Sequence, residues 1–341
     1  MVIIPRPRRR RGPLRVLRNL LLIIVGLIAV LWAVFATPDI PVATLKSKYA
    51  NAASQFVELS PGTTIHFRDE GPRDGRPVVL VHGSDASLHT WEPWVQRLTA
   101  KGYRVITLDL PAHGLSGPTP QGLYTGAAYA GIVEQLVDHL GLKTFALGGN
   151  SMGGGVAWRY AVRHPERLTA LILVDAAGKP MAKGSSPPLG FRLARIPVAR
   201  DVLATVTPRV IFEKSFAQSI SNQAIATPAM IDRYWELHLY PGNRRATVQR
   251  FGQYSGDDGA AAKLPGLTVP TLILWGQEDK LIPVSVAQWF NEQIPGSRVS
   301  ILDGIGHIPM EEAPDRSLAP VLELLAATTD ATGPQTPKQS A

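Results

Sequence analysis

The chain has no cysteine among its 341 residues. That excludes disulfides, thiolate nucleophiles and cysteine zinc sites, and it leaves the redox compartment unreadable from thiol usage. Charge is sparse at 18% of residues, and the first 18 residues hold no acid at all against seven arginines (Arg6, Arg8, Arg9, Arg10, Arg11, Arg15, Arg18). The net charge of +8 is concentrated in this block, so the rest of the chain carries only +1. No basic face remains to argue for nucleic acid. Apolar residues, by contrast, make up 45%. This suffices for one large domain with a substantial core, or one domain with an insertion.

The arginine block runs into 17 uncharged, mostly apolar residues, 20–36, with Trp32 near the far end. At 1.5 Å per residue such a helix reaches about 25 Å, close to the thickness of a bilayer core. The arginines should stay on the cytoplasmic side, which places the rest of the chain outside the cytoplasm. The expectation for residues 1–36 is an uncleaved membrane anchor. The alternative is a cleaved signal peptide, because Val34-Phe35-Ala36 resembles a small-x-small cleavage site. Residues 37–54 read as a linker. Residues 328–341, rich in Thr, Pro, Gln and Ser, read as a disordered tail.

Between these ends, the patterns Phe56-Val57-Glu58-Leu59 and Thr64-Ile65-His66-Phe67-Arg68 flank Ser60-Pro61-Gly62 as a hairpin. Continuous apolar runs follow at 77–81, 103–108, 144–148 and 168–174, each separated by a segment of helical spacing. Strands alternating with helices imply βαβ units and a mainly parallel sheet covered on both faces. The alternation covers residues 55–177, stops over 178–264, and returns over 265–327 with a strand at 271–275, a helix, a strand at 298–302 and a final helix. The interruption, with helical patches such as 229–239, is expected to be a helical cap over the carboxyl ends of the strands, where open α/β sheets bind ligands.

Four chemically distinctive segments end predicted strands. His82-Gly83-Ser84 follows one strand. Gly149-Asn150-Ser151-Met152-Gly153 follows another and opens a helix, the context of a nucleophile elbow, in which small neighbours let a serine sit on a sharp turn. Asp279 and His307 follow two later strands. Hydrolysis through a serine requires the hydroxyl, an imidazole to take and return its proton, and a carboxylate to orient the imidazole. Ser151…Asp279…His307 has the chain order expected for such an elbow. Glu278, next to Asp279, and Asp175, after the strand before the insertion, compete for the acid's role. Neither His82 nor His113 has metal-ligand spacing, and no metal or cofactor is expected. His82 is expected to hold a loop, His113 to cap one, and His89 and Trp91 to shape the pocket mouth. The aromatics Phe216, Tyr234, Trp235 and Tyr240 are expected to form the core of the cap.

With the Asp109-x-Pro-x-His-Gly-x-Ser segment and Gly306-His307, these motifs make residues 56–326 resemble the α/β-hydrolase superfamily. The resemblance implies an oxyanion hole from the backbone N–H groups of Ser84 and Met152. The stretch from Leu80 to Trp94 is similar to bacterial lipases and carboxylesterases, which implies a small, hydrophobic ester substrate. Gly149-Asn150-Ser151-Met152-Gly153-Gly154 also resembles the carbon–carbon bond hydrolases of aromatic catabolism, but those enzymes commonly carry Trp after the catalytic His, where this chain has Ile308. A cofactor-free perhydrolase shares the same three residues. The intact Ser, Asp and His argue against a non-catalytic binding protein.

Overall fold

A computed structural model describes residues 12–60, 62–180, 192–253 and 258–330. The first helix, α1 (Pro13–Phe35), is exposed along its whole length and is compatible with a membrane anchor or a signal peptide. It stands apart from an eight-stranded sheet. The strands are β1 (Ser54–Ser60), β2 (Thr63–Glu70), β3 (Pro77–Val81), β4 (Arg104–Leu108), β5 (Phe145–Asn150), β6 (Leu168–Val174), β7 (Thr271–Gly276) and β8 (Arg298–Leu302). Their spatial order is β1-β2-β4-β3-β5-β6-β7-β8. From β4 to β8 every pairing is parallel, while the opening hairpin β1–β2 is antiparallel and attaches at one edge.

The central parallel strands β3, β5, β6 and β7 are mainly apolar because helices cover both faces. One face packs against α4 (Gly126–His139), α5 (Met152–Ala161) and α10 (Ser285–Gln293), through Tyr129, Val133, Trp158, Tyr160 and Phe290. The other packs against α3 (Glu92–Ala100), the short α11 (Pro309–Glu312) and α12 (Pro314–Asp330), through Trp94, Leu98, Met310, Leu318 and Val321. The strand order reverses at β3, whose neighbours are β4 and β5. This is the switch point beside which α/β sheets open a crevice at their carboxyl ends. His82-Gly83-Ser84 and Ser151 lie there.

The described part of 178–264 is helical and contains no strand. It comprises α6 (Pro197–Leu203), α7 (Arg209–Ser219), α8 (Pro228–His238), α9 (Asn243–Gly252) and a 3-10 segment, Ala260–Gly266. Residues 37–54 differ from the predicted linker. They hold a helix, α2 (Val42–Tyr49), whose Leu45 is fully buried against Leu115, Leu237 and Tyr240. Eight residues with one inward apolar side chain leave no periodicity to detect. Of the tail predicted from residue 328, residues 331–341 lie outside the described residues, and 328–330 complete α12.

Candidate functional site

The β5–α5 turn is built from glycine because nothing larger fits. A Cβ on Gly153 would lie 2.1 Å from the Val81 carbonyl oxygen and 2.5 Å from that of His82. One on Gly149 would lie 2.2 Å from the Gly153 oxygen. With these close approaches, Ser151 takes φ 53° and ψ −118°, a strained conformation that a non-glycine residue holds only where its surroundings enforce it. Gly153→Ala is therefore expected to cost about 4 kcal/mol or more of stability. Gly131→Ala, in α4 with open space around it, should stabilise by a few tenths to about 1 kcal/mol. Thermal unfolding of the two variants checks the contrast.

The post-β3 loop abuts the same turn. A Cβ on Gly83 would lie 3.2 Å from the Ser151 Cβ. Ser84, Ser151 and Met152 line one cavity of about 450 Å³, together with Tyr124, Tyr129, Phe251 and the cations Arg159, Lys179 and Arg250. Arg250 on α9 belongs to no motif in the sequence. Its guanidinium donates to the Ser84 hydroxyl at 2.5 Å and reaches the Met152 sulfur at 3.3 Å. Only the cap's folding brings it there, so no local signal marks it.

Asp279 and His307 meet across 28 residues of chain. His307 Nδ1 lies 2.6 Å from Asp279 Oδ2, and Asp279 Oδ1 accepts from the N–H groups of Leu281 and Ile282 at 2.7 and 3.0 Å. The buried Trp275 closes this loop by donating its indole N–H to the Ile282 oxygen at 2.9 Å. A carboxylate only accepts, so Nδ1 carries the hydrogen and Nε2 is left as the basic nitrogen. The backbone of His307 is held on both sides. Its N–H donates to Ser219 O on the cap at 2.8 Å, and its carbonyl accepts from the Asn150 amide at 2.9 Å. Asn150, the residue before the candidate nucleophile, thus ties the elbow to the histidine loop.

Of the two competing acids, Glu278 points away, with its carboxylate bonded to the Ser221 hydroxyl at 2.5 Å. Asp175 stays close. Its carboxylate, that of Asp279 and the His307 ring bring one atom each within 4.8 Å of one another. Burial, reinforced by the charge of Asp279, pushes the Asp175 carboxyl well above the usual range. Its Oδ1 accepts from Gly276 N at 2.9 Å, while no donor faces its Oδ2. Burial thus favours the neutral form of Asp175 beside the Asp279–His307 pair.

His82 and His113 do hold loops. His82 Nε2 accepts from Leu110 N at 3.0 Å, and His113 Nδ1 lies 3.0 Å from Pro111 O. His89 and Trp91, expected at the pocket mouth, are instead buried, and neither lines the cavity. The loop turns inward because Asp109 captures Leu88 N at 2.7 Å, along with Leu115 N at 2.8 Å and His66 Nδ1 at 2.7 Å. None of Phe216, Tyr234, Trp235 and Tyr240 lines the cavity. Phe216 and Tyr234 pack under the cap, and the Trp235 indole bonds Thr207 O at 2.9 Å.

Burial lowers the pKa of His82, His89 and His113, with His89 pushed down to about 4. The unfolded chain binds protons on these rings near pH 6.5, and the folded chain does so only at lower pH. Stability is therefore complete above about pH 6.5 and is lost as pH falls towards 4. Asp175 and Glu70, raised by burial, act in the opposite sense. His89 alone should cost about 2 kcal/mol between pH 7 and 5, read as a lower urea midpoint at pH 5.

The family model for the alpha/beta hydrolase fold matches residues 76–314. Over 284 residues the chain is 30% identical to an uncharacterized protein of Mycobacterium tuberculosis, covering 78% of this chain and 81% of that one. It is 27% identical over 265 residues to a 2-hydroxy-6-oxononadienedioate/2-hydroxy-6-oxononatrienedioate hydrolase of Cupriavidus pinatubonensis, covering 74% and 89%. Among solved structures, a thermophilic esterase from Thermogutta terrifontis superposes with a TM-score of 0.69 at 29% identity, covering 80% of this chain and 99% of the esterase.

Proposed function

We propose that this chain, which belongs to the alpha/beta hydrolase fold family, is a serine hydrolase that cleaves carboxylic esters through an acyl-enzyme. The observation that carries this reading is the strained Ser151 on the wall of the cavity that Ser84 and Met152 also line, with a histidine oriented by Asp279 on the neighbouring loop. In this reading His307 Nε2 takes the Ser151 proton as the hydroxyl oxygen attacks the ester carbonyl. The N–H groups of Ser84 and Met152 hold the oxyanion, each contributing about 3 kcal/mol to lowering the barrier. The imidazolium returns its proton to the departing alcohol. Water, deprotonated by the same nitrogen, then releases the acid. Arg250, bonded to the Ser84 side chain and against Met152, holds both oxyanion residues in register. The reading includes α1 as an anchor, with the hydrolase on the non-cytoplasmic side and a hydrophobic ester as substrate.

A second reading, carbon–carbon bond hydrolysis, draws on the Cupriavidus relative and on Lys179 and Arg250 of the cavity wall, which suit a carboxylate-bearing substrate, Arg159 being paired with Asp258 at 2.6 Å. Two experiments test the pair. A fluorophosphonate probe should label Ser151 in the folded protein, and no labelling would sink both readings. Turnover of p-nitrophenyl esters should then exceed turnover of a vinylogous 1,5-diketone, and the reverse ranking would select the second reading.

A further inference from the structure

We infer that cap residues 192–203 lie in the headgroup layer of the bilayer that α1 spans, with anionic lipids against their arginines. This rests on reading α1 as an uncleaved anchor. No residue of the helical stretch Leu14–Phe35 is buried in the protein, and after Arg18 the stretch carries no charge. At 1.5 Å per residue its uncharged part, residues 19–35, covers about 25 Å, close to a hydrocarbon core of about 30 Å. Trp32, three residues from the carboxyl end, therefore sits about 5 Å from the exit, at the level that tryptophan prefers.

That level is tied to the cap. The Trp32 indole donates to the Thr205 hydroxyl at 2.9 Å, and Thr37 N donates to Thr205 O at 3.0 Å. Ala36 and Val206 form an antiparallel bridge, and Arg244 of α9 bonds Asp39 at 2.6 Å. Thr205 consequently lies at the headgroups, and α6 ends two residues before it. Outside α1, the described residues expose eight large apolar side chains, and four of them (Ile196, Val198, Leu203 and Val210) fall within 15 residues beside this tie. Val198 is 68% exposed. Arg192, Arg195 and Arg200 are exposed among them, and the single acid of the segment, Asp201, lies 3.4 Å from Arg200 in a solvent-exposed pair. Apolar tips interleaved with arginines are the surface of an interfacial segment with a preference for anionic lipid. The inner side of the segment, Ala194 and Ala204, packs on Val248 and Phe251, and Phe251 lines the cavity that holds Ser151. The docked segment is thus one helix away from the cavity, and an ester dissolved in the bilayer has a short path to it.

The absence of cysteine makes the test direct. Val198→Cys, Leu203→Cys and Glu292→Cys each give one labelling site. Glu292 is exposed near the end of α10, which runs back to the start of β8, on the side of the sheet away from the cap. Each full-length variant carries an environment-sensitive dye and is reconstituted in phosphatidylcholine vesicles with or without 25% phosphatidylglycerol. Spin-labelled lipids serve as quenchers. At positions 198 and 203 we expect a blue-shifted emission and at least ~3-fold stronger quenching than at 292, greater with phosphatidylglycerol. Quenching at 198 and 203 no stronger than at 292 would overturn the inference. So would mature chain that has lost α1, or disulfide-linked Val198→Cys pairs in place of lipid quenching. Val198→Glu should also lower hydrolysis of a vesicle-borne ester at least ~5-fold and leave p-nitrophenyl butyrate turnover unchanged. Quenching without any esterase activity would reject the proposed function and leave the docking intact.

Discussion

Ser151→Ala is expected to abolish ester turnover, with kcat/KM falling by about 10⁴ to 10⁶, the range seen when the nucleophile of such a unit is removed. The loss should not come from unfolding. Alanine is smaller than serine and keeps a Cβ, so the elbow's φ of 53° is no more strained than before. The expected signature is unchanged thermal unfolding, complete loss of fluorophosphonate labelling, and retained affinity for a non-hydrolysable ester analogue. Residual activity within tenfold of wild type would mean that Ser151 is a turn residue and that the chemistry lies elsewhere. His307→Ala should cost about as much as Ser151→Ala, and the double variant little more than either, because the residues act as one unit.

The second large effect separates two aspartates. Asp279→Asn keeps the size of the side chain but presents an amide to His307 Nδ1, now 2.6 Å from Asp279 Oδ2. The amide favours the wrong imidazole tautomer, and the expected loss in kcat is about 10⁴. Asp175→Asn should cost less than about tenfold. Burial pushes the Asp175 carboxyl well above the usual range, towards the neutral form, and asparagine is a neutral side chain of the same shape. The split should appear in kcat with KM nearly constant. If Asp175→Asn is instead the crippling change, the acid has been assigned to the wrong strand end.

Much of the architecture could be read along the chain because its signals are local. Parallel strands buried on both faces are mainly apolar runs, and the strands read at 77–81, 168–174 and 271–275 coincide with β3, β6 and β7 to within a residue, as the edge strand read at 298–302 does with β8. The elbow could be read because its constraint is steric and short-range, with glycine at each point where backbone meets backbone. The order Ser151, Asp279, His307 named three candidates. What escaped the sequence has the opposite character. α2 is too short to show a period, and its Leu45 is buried only because Leu115 and Leu237 arrive from elsewhere. Arg250 is an ordinary surface-type residue on a helix until the cap folds down. His89 and Trp91 looked like mouth residues, because a loop after a strand is usually open. The carboxylate that draws them inward, Asp109, lies about 20 residues away, beyond the reach of a local pattern.

The tie between α1 and the cap is the same kind of fact. Nothing in the apolar stretch or in residues 192–206 announces that Trp32 will meet Thr205. By itself, the sequence determined that there is one sheet interrupted by one helical insertion, that an apolar helix precedes it, and that a serine stands on a glycine turn at a strand end. These follow from periodicity, burial and steric exclusion, which act over a few residues. Only the tertiary structure decided which aspartate faces His307, that the other is buried beside it with its carboxyl pushed towards the neutral form, and which cations line the serine's cavity. Those relations depend on distances across loops whose ends are set by the sheet, and burial changes the charge of a carboxyl only once the chain has closed around it.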